Sequence, residues 1–280
     1  MLFGDMSVFK VDKDIKPFSW IMLFSLIDFA VYFLCDSILL FLAYYAVGIL
    51  LKCLVSAWNH HHQHSFMFKK DIFNRLFEVF LGLQTGCSTH LWVLHHVLGH
   101  HPHYLDQNKD ESGWKKKNGE TMSMLEYTFV ITATSYYRAF KVGNKYPKRQ
   151  KEFVFWGLIT FGILAALIFF RPMAGFFVFA LPMLTTLTLT SWTTYDHHAG
   201  LDTEDPYKAT YNIMNPLYNK LSGNLGYHTA HHLKPGVHWS KLPELHSTIE
   251  DKIPEELFVK STFDFLLPIK EKPSKTAHSL

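Results

Sequence analysis

Two long apolar stretches dominate the pattern of the chain. The first runs from Pro17 to Ala57 and breaks at Cys35-Asp36-Ser37; the second runs from Phe153 to about Trp192 and breaks at Arg171-Pro-Met-Ala-Gly175. Each half is close to the ~20 residues a helix needs to cross a bilayer core. Four spans are therefore expected, near 18–34, 38–57, 153–170 and 174–194, arranged as two hairpins. Residues 76–94 are also moderately apolar but contain Glu78, Gln84 and His90, and they predict an in-plane or dipping helix. Within the polar, basic stretch 104–151, residues 121–140 fit an interfacial amphipathic helix. Residues 1–16 are expected to form an exposed arm, and Lys52 to snorkel to the interface. Asp28, mid-span, marks either a pairing inside the bundle or a functional role.

Composition supports a membrane protein with a sizeable polar part. Of the 280 residues 48% are hydrophobic and 16% aromatic, and only 18% are charged, against about 25% in soluble domains. The fold class expected is all-α, a single domain over 1–280 with polar regions 58–151 and 196–280 on one side of the membrane. Nearly all Lys and Arg fall on that side, and the opposite side carries only Asp36 and Arg171, so the positive-inside rule makes the termini cytoplasmic. A bacterial inner membrane or the ER membrane fits. The net charge of +3 is too small to argue for nucleic acid. Cys35, Cys53 and Cys87 are scattered with no CxxC spacing, so neither a disulfide framework nor a thiolate metal site is suggested. The first residues lack a cationic segment followed by an apolar run, so no cleaved signal peptide is expected.

Histidine distribution changes the picture. Of 18 histidines, 17 fall in the clusters 60–64, 90–103, 197–198 and 228–246, all on the predicted cytoplasmic side. His60 and His64 are i, i+4 partners on one helix face, as are His96 and His100, with His101 turned about 100° further round. His228, His231 and His232 follow the i, i+3, i+4 pattern, and all three project from one face if the stretch is helical. These eight exceed what one four- to six-coordinate ion can use, so two metals are implied, with adjacent histidines feeding different ions. Imidazole suits zinc, copper, iron and nickel alike, and the spacing does not choose between them. His61, His62, His90, His95 and His103 are expected to pack or hydrogen-bond instead, as are His238 and His246, with His278 in the tail.

These boxes, set around two membrane hairpins, resemble the membrane fatty acid desaturase and hydroxylase superfamily over about residues 50–250, as does Pro235-Gly-Val-His-Trp-Ser-Lys-Leu-Pro243-Glu-Leu-His246. The resemblance implies two irons held by histidine, with O2 as co-substrate, and removal of hydrogen from an unactivated methylene of an acyl chain. It also implies one further ligand at the cytoplasmic end of the last span, where Thr194-Tyr195-Asp196-His197-His198-Ala-Gly-Leu201 stands. Setting Gly200-Leu201 in register selects His198; counting from Asp196 selects His197. His198 is assigned, with His197 as the alternative. Asp196 and Asn224 are candidates to support the ligands, alongside Asp106, Asp110, Glu111 and Asp202; Asn224, four residues before His228, is expected on its face, with Tyr227 also towards the site. The same boxes serve a lipid or carotenoid hydroxylase or ketolase. A histidine-rich metal transporter would place ionisable ligands near the membrane midplane, and these spans hold no histidine. Neither a flavin or nucleotide motif nor a His-Pro-Gly-Gly stretch is present. An external donor is therefore expected: ferredoxin, rubredoxin or cytochrome b5. The acyl substrate would be presented on CoA, a carrier protein or a glycerolipid. Lys115–Lys117 is either a solvated, membrane-facing basic run or a docking point for an acidic carrier or donor.

Overall fold

A computed structural model describes residues 7–259 of the chain; the tail with His278 lies outside the described residues. Among the described residues the chain is almost entirely helical, with one parallel pair of two-residue strands, β1 (Asn212–Ile213) and β2 (Phe258–Val259). Four helices are long and apolar enough to cross a membrane: Asp12–Leu34, Ile38–His64, Pro147–Phe170 and Pro172–His198. They correspond to α1 (Ile15–Leu34), α2 (Ile38–His64), α5 (Pro147–Phe170) and a composite of α6 (Pro172–Ala174), a π-helical stretch Gly175–Ala180 and α7 (Leu181–His198). Leu39, Leu50, Leu158 and Phe169 point outward from these helices, as a lipid-facing surface requires.

Two helices run past the apolar segments that predict them. α2 continues to His64 and α7 to His198, so the terminal histidines stand on the ends of rigid helices rather than on loops. The break expected over Arg171–Gly175 is shorter, because Pro172 restarts a helix at once, its fixed φ suiting the first turn. Arg171 itself ties the hairpins together: its guanidinium donates to the carbonyls of Tyr32 and Cys35 and to the Asp36 carboxylate.

Lys52 does not snorkel. It is 1% exposed and turns inward, its Nζ 2.8 Å from Asp28 Oδ1 and 3.2 Å from the Val178 carbonyl. Tyr44 donates to the same carboxylate oxygen at 2.8 Å. Asp28 is thus paired inside the bundle, and the Phe24 and Phe179 rings flank Lys52. The described part of the arm is largely exposed, as expected, but is anchored at two residues. Phe9 is buried beside Phe68, and Asp14 accepts from Trp239 Nε1 at 2.8 Å and from His238 at 3.0 Å, fastening the start of α1 to the C-terminal region.

α3 (Asp71–Thr85) covers only the first part of the expected dipping segment 76–94, which breaks at Gly86, and packs against α2, α5 and α7. Its polar residues face inward: Glu78 accepts from Arg75 at 2.6 Å and lies 3.5 Å from His62. Gly86 ends it in the left-handed region, where a Cβ would meet the Met183 carbonyl, so the close crossing over α7 needs glycine there. α4 (Met124–Gly143) begins at Ser123, whose hydroxyl accepts from Glu126 N, and buries one side on α7. Its other side shows Leu125, Phe129, Tyr137 and Phe140 to the exterior, as an amphipathic interfacial helix would. The cap past His198 holds α8 (Pro216–Ser222), α9 (His228–Leu233) and α10 (Leu242–Ser247). Ala230, Leu242, Ile249, Ile253 and Leu257 form its core.

Candidate metal centre

The three boxes and the α7 terminus meet in one buried place. His60 and His64 come from the last turn of α2, their rings stacked at 4.7 Å. Between them, Gln63 Oε1 accepts the amides of Trp92 and Val93 at 3.1 and 3.3 Å, while its Nε2 donates to Asn59. That contact draws the second box onto the first.

The second box is not an α-helix. Val93–Val97 is π-helical, and the His101 amide bonds the His96 carbonyl at 2.9 Å, five residues back. The wider turn brings His101 to His96, their Nε2 atoms 3.0 Å apart, while His100 stacks on His96 at 5.0 Å. His96 and His100 thus share a face as expected, although their nitrogens fall in different groups; what the wider turn changes is His101, which it brings round to His96.

Nitrogens from His60, His64, His96, His101 and His231 lie within 4.8 Å of one another, and those of His100, His198 and His232 form a second such group. His228 Nε2 is 3.1 Å from His198 Nε2 and extends the second group to four. His100 and His101 therefore serve different groups, as do His231 and His232.

The donors fit transition-metal ions. Nε2 pairs sit 2.9 Å apart in His60–His231, 3.1 Å in His101–His231 and 3.3 Å in His100–His198. Two nitrogens bound at right angles, each about 2.0–2.1 Å from one ion, are roughly 3 Å apart. His232 has no hydrogen-bond partner on either ring nitrogen although it is buried, a costly arrangement unless something else uses those lone pairs. Burial, reinforced by neighbouring imidazoles, pushes the pKa of His96, His101, His228, His231 and His232 well below the ordinary range, keeping them neutral and able to ligate.

Supporting contacts orient the rings. His100 Nδ1 donates to Asp110 Oδ1 at 2.8 Å, and His198 Nδ1 to the Ala209 carbonyl at 3.2 Å, each leaving Nε2 to face the centre. A carboxylate behind a ligating imidazole raises its basicity, so Asp110→Asn is expected to weaken metal binding by about 10–100-fold. Metal content after dialysis against a graded chelator series measures this, and retention equal to wild type would contradict it. Thr229 anchors α9: its amide donates to Asn212 Oδ1 at 3.0 Å and its hydroxyl contacts Thr210 at 2.7 Å.

Other sequence candidates fall outside the two groups. His197 donates Nδ1 to the Tyr211 carbonyl at 3.1 Å and stacks on His228 at 3.9 Å, a neighbour of the second group rather than a member. Asp196, on the same turn, acts electrostatically on Tyr218. Asn224 is not on the α9 face, because that helix starts at His228; it turns through the left-handed region and donates to the Trp239 carbonyl at 3.2 Å. Tyr227 likewise packs on His246, away from the nitrogens. Asp106 pairs with Lys109, Glu111 with Lys141 and Asp202 with Lys115, all outside the centre. Lys116 pairs with Glu126, so two of the three lysines of the basic run hold acidic partners. His61 bonds the Ser222 carbonyl at 2.9 Å and His90 lies 2.7 Å from Glu152. His95 is buried, its pKa pushed down to about 3, and its ring lines a separate small cavity. Sequence reading missed Trp92, whose ring lies 5.1 Å from His96, and Tyr104, 4.5 Å from His232. Each stands four residues from a box histidine, and that spacing was the available signal.

A cavity of about 340 Å3 ends on these rings. It runs between α2 and α7 and is lined by Leu50, Cys53, Leu54, Leu189 and Trp192 along its length, with His60, His96, His198 and His228 at its inner end. It thus touches both nitrogen groups.

A family model described as fatty acid desaturase matches residues 36–263, from the start of the second span through the cap. No curated protein and no solved structure gives a significant match. A match of that length, over four apolar helices and two buried histidine groups, shows that the chain belongs to the fatty acid desaturase family.

Proposed function

We propose that the protein is an O2-dependent di-iron desaturase that introduces a double bond into a lipid acyl chain. The observation that carries this reading is the apolar cavity ending on histidines of both groups. His60, His64, His96, His101 and His231 would hold one iron, and His100, His198, His228 and His232 the other. When bound, the metal pair supplies the O2-dependent oxidising power that an unactivated methylene requires. The reaction removes two hydrogens from adjacent carbons, takes two electrons from an external donor and two protons, and reduces O2 to two waters.

The chain's own residues supply position and dryness. Leu50, Leu54, Ala57, Leu189 and Leu225 give the cavity apolar walls that exclude water and keep the methylenes in register. Ser56 and Thr190 bond each other at 2.6 Å and Thr190 also donates to the Thr186 carbonyl, so both hydroxyl protons are taken up within the protein. Asp110 and the Ala209 carbonyl hold the protons on the outer nitrogens of His100 and His198. Electrons come from a ferredoxin, rubredoxin or cytochrome b5, delivered on the side of the histidines, which is cytoplasmic in a bacterial inner membrane or the ER membrane.

A host expressing the protein is expected to gain fatty acids two mass units lighter than their precursors, in proportion to enzyme level, by mass spectrometry of total lipids. Products sixteen units heavier would instead make it a hydroxylase.

A further inference from the structure

The cavity between α2 and α7 is open on its flank. Leu50, one of its lining residues, is 68% exposed on the outer surface of α2, and Cys53, Leu54, Leu189, Trp192 and Thr193 are each partly exposed beside it. Leu50 precedes His60 by ten residues of continuous helix, about 15 Å at 1.5 Å per residue, which is half of a hydrocarbon core roughly 30 Å thick. The opening therefore faces lipid from the level of the histidines down to near the midplane. Around it the outer surface is apolar, with Val47, Leu51 and Leu184 exposed.

The upper rim is α8. Tyr218 and Ser222 turn into the cavity, while Leu217 and Leu221 face outward next to exposed Lys220. Trp58 Nε1 donates to the Leu221 carbonyl at 3.0 Å, fixing α8 beside the turn of α2 just before the histidines. A short helix with two outward leucines and a lysine fits the boundary between head groups and chains. Among the described residues no Lys, Arg, Asp or Glu lines the cavity.

We propose that this lateral mouth admits the acyl chain of an intact glycerolipid directly from the leaflet on the histidine side, resting on the assignment of the cavity as the acyl site. A CoA thioester carries several phosphates that call for clustered cations where it enters; among the described residues the cavity lining offers none and α8 only Lys220. A glycerolipid leaves its head group at the α8 rim and moves only hydrocarbon, from one apolar medium to another, with no charge to desolvate.

Photo-crosslinking of the full-length protein in lipid nanodiscs tests this without requiring turnover. One arm contains a phosphatidylcholine with a diazirine in its acyl chain; the other presents the same chain as its CoA ester. Ser56 and Trp92, 5% and 7% exposed, line the cavity but are shielded from bulk lipid. The phosphatidylcholine probe is expected to label peptides containing them and the CoA probe is not. Leu50→Trp, at a lipid-facing position that tolerates bulk, should narrow the mouth and cut this labelling about tenfold while leaving labelling of outward Phe169 unchanged. Labelling by phosphatidylcholine confined to outward residues, interior labelling unaffected by Leu50→Trp, or equal interior labelling by the CoA probe would each overturn the proposal. Failure of the desaturase reading would show separately, as absent product with interior labelling intact.

Discussion

A His231→Ala protein is expected to reach the membrane at wild-type level, to bind about half the wild-type metal and to form no detectable product. His231 is the hub of the first nitrogen group, its Nε2 2.9 Å from His60 and 3.1 Å from His101, with its ring 4.5 Å from His64. Altering only a partner that supports a ligand costs about 10–100-fold in affinity or activity, and removing a ligand itself costs more. The side chain does not line the cavity, so loss of activity cannot be assigned to loss of substrate contact. His64→Ala and His100→Ala should behave alike, each emptying one group. His103→Ala is the control: its half-buried ring belongs to neither group, and both metal and product should persist. Iron per chain by mass spectrometry, read beside lipid products, separates these cases. A fully active His231→Ala protein would detach the nitrogen groups from the chemistry.

How much of this was legible from sequence depended on whether the information was local. Apolar run length located the four long helices, because crossing hydrocarbon constrains every residue of a span. Histidine spacing brought out the box residues, but it assumed 3.6 residues per turn. At Val93–Val97 the backbone takes the wider π turn, so His96 meets His101 as well as His100. Nothing in the residues 93–97 announces that choice; the contacts that favour it come from Gln63, thirty residues away on α2. The His197–His198 doublet was open for a related reason. Only the carbonyls of the following loop, Ala209 and Tyr211, separate the two rings, turning His198 to the nitrogens and His197 onto the face of His228. Lys52 was misplaced because a partner on another helix was invisible, and Asn224 because its turn precedes the helix assumed for it.

Removing one partner of the Asp28–Lys52 pair is expected to destabilise the membrane part strongly. Both side chains are 1% exposed, and the pair joins α1 to α2 while the Val178 carbonyl on the π-helical stretch takes a further proton of Lys52 at 3.2 Å. Attraction between such charges roughly offsets the cost of removing them from water, so the pair adds little by itself; leaving one partner alone costs about 3–5 kcal/mol. Lys52→Met should therefore lose about that much, since Asp28 keeps only the Tyr44 hydroxyl. Asp28→Asn should lose a comparable amount, leaving the buried ammonium with neutral acceptors and no charge to balance it. The double variant Asp28→Asn with Lys52→Met strands no charge and keeps an acceptor for Tyr44, so it should lose less than either single change. Unfolding midpoints of the four proteins in one detergent, arranged as a double-mutant cycle, give the coupling directly. If the two losses simply added, the pair would be a bystander, and the anchoring of α1 would rest on apolar packing around Ile21, Phe24 and Tyr32 instead.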